Sequence, residues 1–268
     1  ANEEQLWDDT LMMTVLPLAK IGLVLERPHY VAEAKRQFLI HIQYLFDAPT
    51  GLFFHGWSFK DGGHNFANAR WARGNSWVTI AIPEFIELVG LDEAGRGCLA
   101  GPVVAAAVVL PHVAHLPGLD DSKKLSAETR EALLPVIQRE ALAVGIGQCS
   151  PAEVDELNVL WAAMEAMRRA AASLPLAPDL FLVDGNREVP GAPCPQETVI
   201  KGDTLSLSIA AASVVAKVTR DRIMVTLDAA FPVYGWAGHK GYPTAAHYAA
   251  LAAHGPSPHH RRSFRLTR

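Results

Sequence analysis

The sequence predicts an α/β fold, with a mixed sheet covered by helices, that follows an all-α segment. Three observations support this prediction. Four of the six tryptophans lie before residue 80, whereas the chain beyond residue 90 is rich in alanine and valine. Apolar residues recur at helical spacing in the first part. In the second part, short apolar runs alternate with helices, which is the pattern of a layered α/β domain. We therefore expect two domains, residues 1–88 and 89–268.

Three helices are expected before the boundary, at residues 11–21, 30–46 and 75–88, because apolar residues are spaced there at helical intervals. A loop rich in glycine and aromatic residues, 51–63, separates the last two.

After the boundary, four further apolar runs predict strands at residues 103–110, 141–147, 180–183 and 198–200. Ser126 can cap one intervening helix, and Ser150 to Glu153 form a capping box with proline at the first helical position. A long alanine-rich helix is expected from about residue 205 to 230, and a last one from Thr244 to Gly255.

Bulk composition limits the classes of partner and compartment. The chain has 268 residues, 50% of them hydrophobic, and a formal net charge of −4. Contact with nucleic acid must therefore depend on a local basic surface. Its three cysteines, Cys98, Cys149 and Cys194, are far apart and odd in number, which favours a reducing, cytoplasmic location. The most apolar early stretch, 11–25, is too short to span a bilayer, so we expect no membrane partner.

The most informative motif begins with two adjacent acids. Asp92 and Glu93 follow the apolar run 88–91 and lead into a turn, Gly95-Arg96-Gly97. Neighbouring side chains of a buried strand point to opposite faces, so at least one acid must face solvent or metal. The glycines allow the backbone to approach a ligand closely, and Arg96 supplies cationic donors beside it.

Two further acids follow predicted strands. Asp184 ends the run 180–183, and Asp203 follows the run 198–200. Taken alone, either would be better explained as a turn or cap residue. Strand ends are nevertheless where ligands bind in layered α/β folds, and converging carboxylates favour Mg²⁺ or Mn²⁺. A two-metal site of this kind suits in-line displacement at phosphorus.

Several sequence blocks after residue 88 occur together in a known order and spacing, namely 92–102, 121–126, 153–158, 183–186, 199–203, 210–213, 216–221, 239–243 and 260–264. Through these blocks, residues from about 88 to 268 resemble bacterial ribonuclease HII. The resemblance implies an RNase H-like fold. It also implies hydrolysis of RNA in RNA–DNA hybrids, and of single ribonucleotides embedded in duplex DNA. The cut would fall 5′ of the ribonucleotide and leave 3′-hydroxyl and 5′-phosphate ends.

The same resemblance assigns roles to residues. Asp92, Glu93 and Asp184 would be metal ligands. Asp203 is our candidate for the fourth carboxylate, because Ser206 and Ser208 stand where some family members place that acid.

The turn Gly95-Arg96-Gly97 and Tyr242 would recognise the ribose. Backbone groups and Arg96 can reach the 2′-hydroxyl, which distinguishes RNA from DNA, and Tyr242 can stack on the adjoining sugar. Five cations in the matched blocks are candidate phosphate contacts, with solvated surface charge as an equally good explanation for any one of them: Lys123, Lys124, Lys217, Arg220 and Lys240.

Residues 1–88 carry a separate resemblance. The stretches 6–13, 51–57 and 71–77 resemble unsaturated rhamnogalacturonyl/glucuronyl hydrolases, which are (α/α)₆ barrels. The resemblance implies that Asp9 protonates the substrate and that His55, Arg73 and Trp77 line the sugar site. Burial can raise a carboxyl pKa, and aromatic rings can stack on sugars. The segment covers only part of such a barrel, so we expect it to have no glycosidase activity alone.

The sequence leaves alternatives open. The junction is either a natural fusion with a helix break near Pro83 or an artificial join. The chain begins at Ala1 in helix-like sequence, which favours a fragment or a processed product. Besides a monomeric nuclease domain acting on RNA–DNA hybrid or ribonucleotide-containing DNA, the alternatives are a uronyl hydrolase dependent on Asp9, and a nucleic-acid-binding module without catalysis.

Overall fold

A computed structural model of the chain describes residues 5–25, 27–65, 69–70, 72–81, 88–111 and 114–267. The chain divides into two compact units, Ala1–Ile86 and Glu87–Arg268. Each unit has its own buried apolar core.

The first unit is mainly helical. Its elements are β1 (Gln5–Trp7), a π-helical turn (Leu11–Val15), α1 (Leu16–Val24), α2 (Pro28–Leu45), β2 (Phe46–Asp47), β3 (Leu52–Phe53), β4 (Gly56–Ser58), a 3₁₀ turn (Lys60–Gly62) and α3 (Ala72–Ala81). Strand β1 pairs antiparallel with β4, and β2 with β3. The glycine-rich loop thus supplies two short pairs of strands. Leu11, Phe38, Leu45 and Val78 are among the core residues.

The second unit is built on a five-stranded mixed sheet. Its strands are β5 (Leu88–Ala94), β6 (Val103–Val109), β7 (Ala143–Cys149), β8 (Leu180–Asp184) and β9 (Gln196–Val199). Their order is β7-β6-β5-β8-β9; β5, β6 and β7 pair antiparallel, whereas β8 and β9 run parallel to β5. The predicted mixed sheet is confirmed. The prediction of a helix through residue 88 is wrong at its end, because Leu88 pairs with Leu180 in this sheet.

Helices cover both faces of the sheet. They are α4 (Ala127–Glu140), α5 (Pro151–Leu157), α6 (Val159–Ala172), α7 (Gly202–Leu205), α8 (Leu207–Ala230), α9 (Trp236–His239) and α10 (Ala245–His254). The capping box is confirmed, since Ser150 accepts from the Glu153 amide and Glu153 accepts from the Ser150 amide. None of the helices described here combines the length and apolarity needed to cross a bilayer.

The central strand β5 separates two cores. Val89 and Leu91 belong to the core that includes α6, whereas Ala94 belongs to the core that includes α4 and α8. Helix α8 approaches the sheet closely at Gly90, where an added Cβ would lie 2.2 Å from the Ser208 carbonyl carbon. Such close backbone packing requires glycine and fixes the height of α8 above the sheet.

A buried histidine pair lies near the C-terminus. His247 Nδ1 lies 3.0 Å from the Tyr242 carbonyl oxygen, and so carries the proton. Its Nε2 therefore accepts from Trp236 Nε1 at 3.1 Å and from His260 Nε2 at 3.0 Å. His260 Nδ1 accepts from the Ser257 amide. Both rings are thus neutral, and each donates through one nitrogen and accepts through the other. Burial, together with the neighbouring His247 and Arg262, lowers the pKa of His260 to about 4.

Gly90→Ala should lower the free energy of unfolding by about 2 kcal/mol or more, because the new methyl group must displace the α8 backbone. Chemical denaturation followed by circular dichroism measures this change. Gly238→Ala is the matched control, since its Cβ has open space around it. Equal stability of the two variants would contradict the close-packing argument.

The histidine pair should make the second unit sensitive to acid. An unfolded histidine titrates near pH 6.5, so the unfolded state binds more protons than the folded state between about pH 6.5 and pH 4. The free energy of unfolding should therefore be highest above pH 6.5 and should fall as the pH drops towards 4. For His260 the loss amounts to up to about 3 kcal/mol. Unfolding free energies measured across this range test the slope. His260→Asn should flatten it, whereas replacement of exposed His254 by asparagine should not.

Candidate active site

The acids of the first motif lie where two parallel strands end together. Asp92 and Glu93 occupy the C-terminal half of β5, and Asp184 is the last residue of β8. The pairing of Leu91 with Val183 places Asp92 and Asp184 at the same level of the sheet. Asp203 follows β9 in the short helix α7, beside the end of β8. The sheet therefore brings the sequence-predicted acids to one edge.

Asp92 is the most deeply buried of these acids. Burial, with the negative charges of Glu93 and Asp184, raises its pKa well above the usual range. Two hydrogen bonds act in the opposite direction, one from the Ser213 hydroxyl and one from the Glu93 amide at 2.7 Å from Asp92 Oδ1. The Ser122 hydroxyl lies 2.8 Å from that of Ser213 and donates to it, because the single Ser213 hydroxyl proton is already donated to Asp92. Sequence reasoning missed this serine pair.

Glu93 contacts the turn that follows it, and Asp184 contacts the first residue of α7. Burial raises the pKa of Glu93, and the Arg96 guanidinium, 3.2 Å from Glu93 Oε1, opposes that rise. Asp184 Oδ1 accepts a hydrogen bond of 2.8 Å from the Gly202 amide. The Arg96 contact links the predicted ribose-sensing turn directly to a predicted ligand.

Asp203 is also buried, and Lys123 lies beside it. Burial, with the charges of Asp121 and Asp184, raises the pKa of Asp203. Lys123 Nζ lies 3.5 Å from Asp203 Oδ2, and its side chain is 75% exposed. Burial opposes the charge of Lys123, but Asp92, Asp203 and Asp121 together raise its pKa. Asp121 was not predicted as a member of this cluster.

The acidic cluster offers carboxylate oxygens, the ligands that hard divalent cations prefer. In the part of the chain that the structure describes, no three His, Cys, Asp or Glu side chains are arranged around a single metal position. The chemistry nevertheless fits a hard cation, because the neighbouring donors are carboxylate oxygens: burial, followed by repulsion from Glu93 and Asp184, raises the pKa of Asp92. A cation between them would relieve that repulsion.

The turn that follows the acids requires glycine at its first position. Gly95 has φ of +97°, and a Cβ there would lie 2.0 Å from Arg220 Nε, whereas a Cβ at Gly97 would meet open space. Tyr242 is partly exposed, and Lys217 Nζ lies 5.5 Å from the centre of its ring. Burial raises the pKa of the Tyr242 hydroxyl.

Two of the candidate phosphate contacts, Lys217 and Arg220, are largely or fully buried. Lys217 is only 16% exposed and lies 2.7 Å from Asp221 Oδ1. Arg220 is fully buried and donates to three backbone carbonyls. The prediction that Arg220 contacts phosphate is wrong, because its side chain lies inside the protein. Charged side chains are usually exposed, and the sequence carries no local sign of this burial.

The first unit holds a second group of predicted residues. His55 Nδ1 lies 2.9 Å from Asp8 Oδ1, and Asp8 is fully buried. Burial raises the pKa of Asp8. The acid paired with His55 is thus the neighbour of Asp9, and no sequence signal distinguished the two. Arg73 and Trp77 lie on α3, but their side chains fall outside the described residues.

Two family models match this chain, and their matched ranges overlap at residues 89–108. Residues 89–267 match the family model for Ribonuclease HII, and residues 1–108 match Glycosyl Hydrolase Family 88. A ribonuclease HII from Syntrophotalea carbinolica is 62% identical over 181 residues, which cover 68% of this chain and 86% of that relative. The crystal structure of ribonuclease H2 from Pyrococcus horikoshii superposes with a TM-score of 0.57 at 27% identity, over 68% of this chain and 95% of that one.

The first unit is similar to part of a larger protein. A possible member of the GH105 family from Salmonella enterica is 73% identical over 31% of this chain, with a TM-score of 0.30. The matched region spans only 22% of the length of that protein.

Asp92→Asn should stabilise the protein in EDTA, because it removes a buried charge that Glu93 and Asp184 repel. A gain of about 1 kcal/mol would raise the midpoint of thermal unfolding by roughly 2–4 °C. Mg²⁺ or Mn²⁺ should then raise the midpoint of the wild type but not that of the variant.

Glu140→Gln, at the far end of α4, is the control and should follow the wild type in both conditions. The metal-site interpretation is contradicted if the cation stabilises Asp92→Asn as much as it stabilises the wild type.

Proposed function

Residues 89–267 of this chain belong to the ribonuclease HII family, and we propose that this type II ribonuclease H hydrolyses RNA within RNA–DNA hybrids and single ribonucleotides embedded in duplex DNA. The cut falls 5′ of the ribonucleotide and leaves a 3′-hydroxyl and a 5′-phosphate. The observation that carries this proposal is the convergence of Asp92, Glu93 and Asp184 beside a glycine turn, at the adjoining ends of β5 and β8.

The acidic cluster is proposed to hold Mg²⁺ or Mn²⁺. Asp92, Glu93 and Asp184 would be the ligands, and Asp203 a fourth carboxylate of the site. A pair of such cations, when bound, stabilises the attacking and leaving oxygens of an in-line displacement at phosphorus. The protein prepares the site by keeping Asp92 buried, with the Ser213 hydroxyl and the Glu93 amide directing its oxygens.

Recognition of the ribose is proposed to fall to the turn and to Tyr242. Gly95 and Gly97 let the backbone approach the sugar, and the half-exposed Arg96 can donate to the 2′-hydroxyl. Because Arg96 also contacts Glu93, binding of the correct sugar acts on a carboxylate of the catalytic cluster. The partly exposed ring of Tyr242 is proposed to stack on the adjoining sugar.

The net charge of the chain is negative, so local cations must draw the substrate in. Lys123 is proposed to contact phosphate, since its side chain is exposed while its amine lies beside the acidic cluster. Lys217, whose amine lies against the Tyr242 ring, is also proposed to contact phosphate. Binding should therefore weaken as the salt concentration rises.

We propose that residues 89–268 form the catalytic domain and act as a monomer. The segment 1–88 is proposed to contribute no glycosidase activity, because it matches only a fraction of the length of a GH105 protein. Asp9 and His55, with Arg73 and Trp77, then remain parts of an incomplete sugar site.

A duplex DNA with one ribonucleotide, incubated with the protein and Mg²⁺ or Mn²⁺, should be cut 5′ of that ribonucleotide. The position and chemistry of the ends are determined on a sequencing gel. The same duplex with a deoxynucleotide at that position should stay intact, as should the ribonucleotide duplex in EDTA. Asp92→Asn should abolish cleavage, whereas Glu140→Gln should preserve it. Absence of a cut by folded wild-type protein would refute the proposal.

Arg96→Ala should reduce cleavage more on a single embedded ribonucleotide than on a continuous hybrid. The single site offers one 2′-hydroxyl and one register, whereas a hybrid offers many. The ratio of kcat/KM for the two substrates measures this. Equal losses on both would contradict the sensing role of Arg96.

A further inference from the structure

Two arginines are completely buried beneath the ribose-sensing turn. Arg220 lies on α8 and Arg261 lies near the C-terminus, and neither side chain is exposed. Within the described residues, their hydrogen bonds go to backbone carbonyls and not to carboxylates. Burying a guanidinium without a carboxylate partner costs free energy, which indicates that these arginines have a specific role in holding the surrounding backbone.

Arg220 joins two loops that are far apart in the sequence. Its Nε and Nη2 donate to the carbonyls of Pro102 and Ala100, each at 2.9 Å, in the segment that follows the turn. Its Nη1 donates at 2.9 Å to the carbonyl of Lys240, two residues before Tyr242. A planar guanidinium with diverging donors can hold three carbonyls in fixed relative positions, which the single nitrogen of lysine cannot do.

The turn itself rests on the same side chain. A Cβ on Gly95 would lie 2.0 Å from Arg220 Nε, so the guanidinium packs directly beneath this glycine. Arg261 Nη1 donates to the Arg96 carbonyl at 2.9 Å and so also holds the turn. The Leu99 amide also donates to the Gly241 carbonyl at 2.8 Å. The turn and the Tyr242 loop are thus connected at several points, with Arg220 at the centre.

We propose that Arg220 is a positioning residue for ribonucleotide recognition, because it sets the spacing between the Gly95-Arg96-Gly97 turn and Tyr242. With that spacing, both parts contact the same ribonucleotide step. The inference rests on the proposed function of the turn and of Tyr242. A role in stability alone would affect every substrate equally, whereas a positioning role affects most the substrate that offers a single ribose.

The test compares Arg220→Lys with the wild type on two substrates, a duplex with one ribonucleotide and a continuous RNA–DNA hybrid. On the single ribonucleotide, kcat/KM should fall about 10- to 100-fold more than on the hybrid, since a small displacement of recognition groups has effects of that size. Met167→Ala, a core variant on α6, is the matched control for lost stability. It should lower the unfolding midpoint without changing the ratio of the two substrates.

Hydrogen exchange provides a readout that does not depend on activity. In Arg220→Lys, exchange should accelerate at the Leu99 amide and in the loop around Gly241 together, and in Met167→Ala it should not. If Arg220→Lys does not fold, Gly241→Ala strains the same connection from the other loop, because its Cβ would lie 2.6 Å from the Ala100 carbonyl oxygen. It should show the same change in substrate ratio.

The outcomes separate the two proposals. A wild type that does not cut at the single ribonucleotide refutes the proposed function, and with it the recognition that Arg220 would serve. In a wild type that does cut, equal losses on both substrates, or unchanged exchange at the two loops, overturn the positioning role of Arg220 alone.

Discussion

The parallel pairing of β5 with β8 is the constraint on which the candidate site depends. The register that joins Leu91 to Val183 carries Asp92 and Asp184 to one edge of the sheet. A shift of one residue would turn Asp92 from the α8 face to the α6 face and separate it from Ser213. The close approach of α8 at Gly90 keeps that helix, and therefore Ser213, within reach of the carboxylate. The close packing of Gly90 against α8 thus determines which hydrogen bonds act on the pKa of Asp92.

Local signals in the sequence predicted much of this architecture. Strand β5, the capping box at Ser150 and the final helix after Thr244 each depend on nearby residues, and each was predicted close to its observed position. The candidate acids were also visible, because an acid next to glycine at a strand end is a local pattern. In the structure these acids lie close together because β5 and β8 end side by side. Their catalytic roles stay predictions.

What the sequence could not supply is contact between distant segments. Ser122 and Ser213 are 91 residues apart, and neither stands out in its own segment. Arg220 lies in a block with other cations, and only the three-dimensional structure shows that it points inward. Asp8 and Asp9 are adjacent acids, and the choice of partner for His55 depends on the orientation of β1 against β4. The two family matches overlap at residues 89–108, so sequence similarity alone does not divide the chain sharply there.

The contact between Gly95 and Arg220 has a consequence for how this protein can change over generations. Any side chain at position 95 collides with the guanidinium, and any shorter residue at position 220 releases three carbonyls at once. A single substitution at either position therefore leads first to a displaced turn. Residues 95 and 220 therefore constrain each other, and replacing them one at a time disturbs the turn. This constraint holds although the two residues lie in different elements and share no sequence motif.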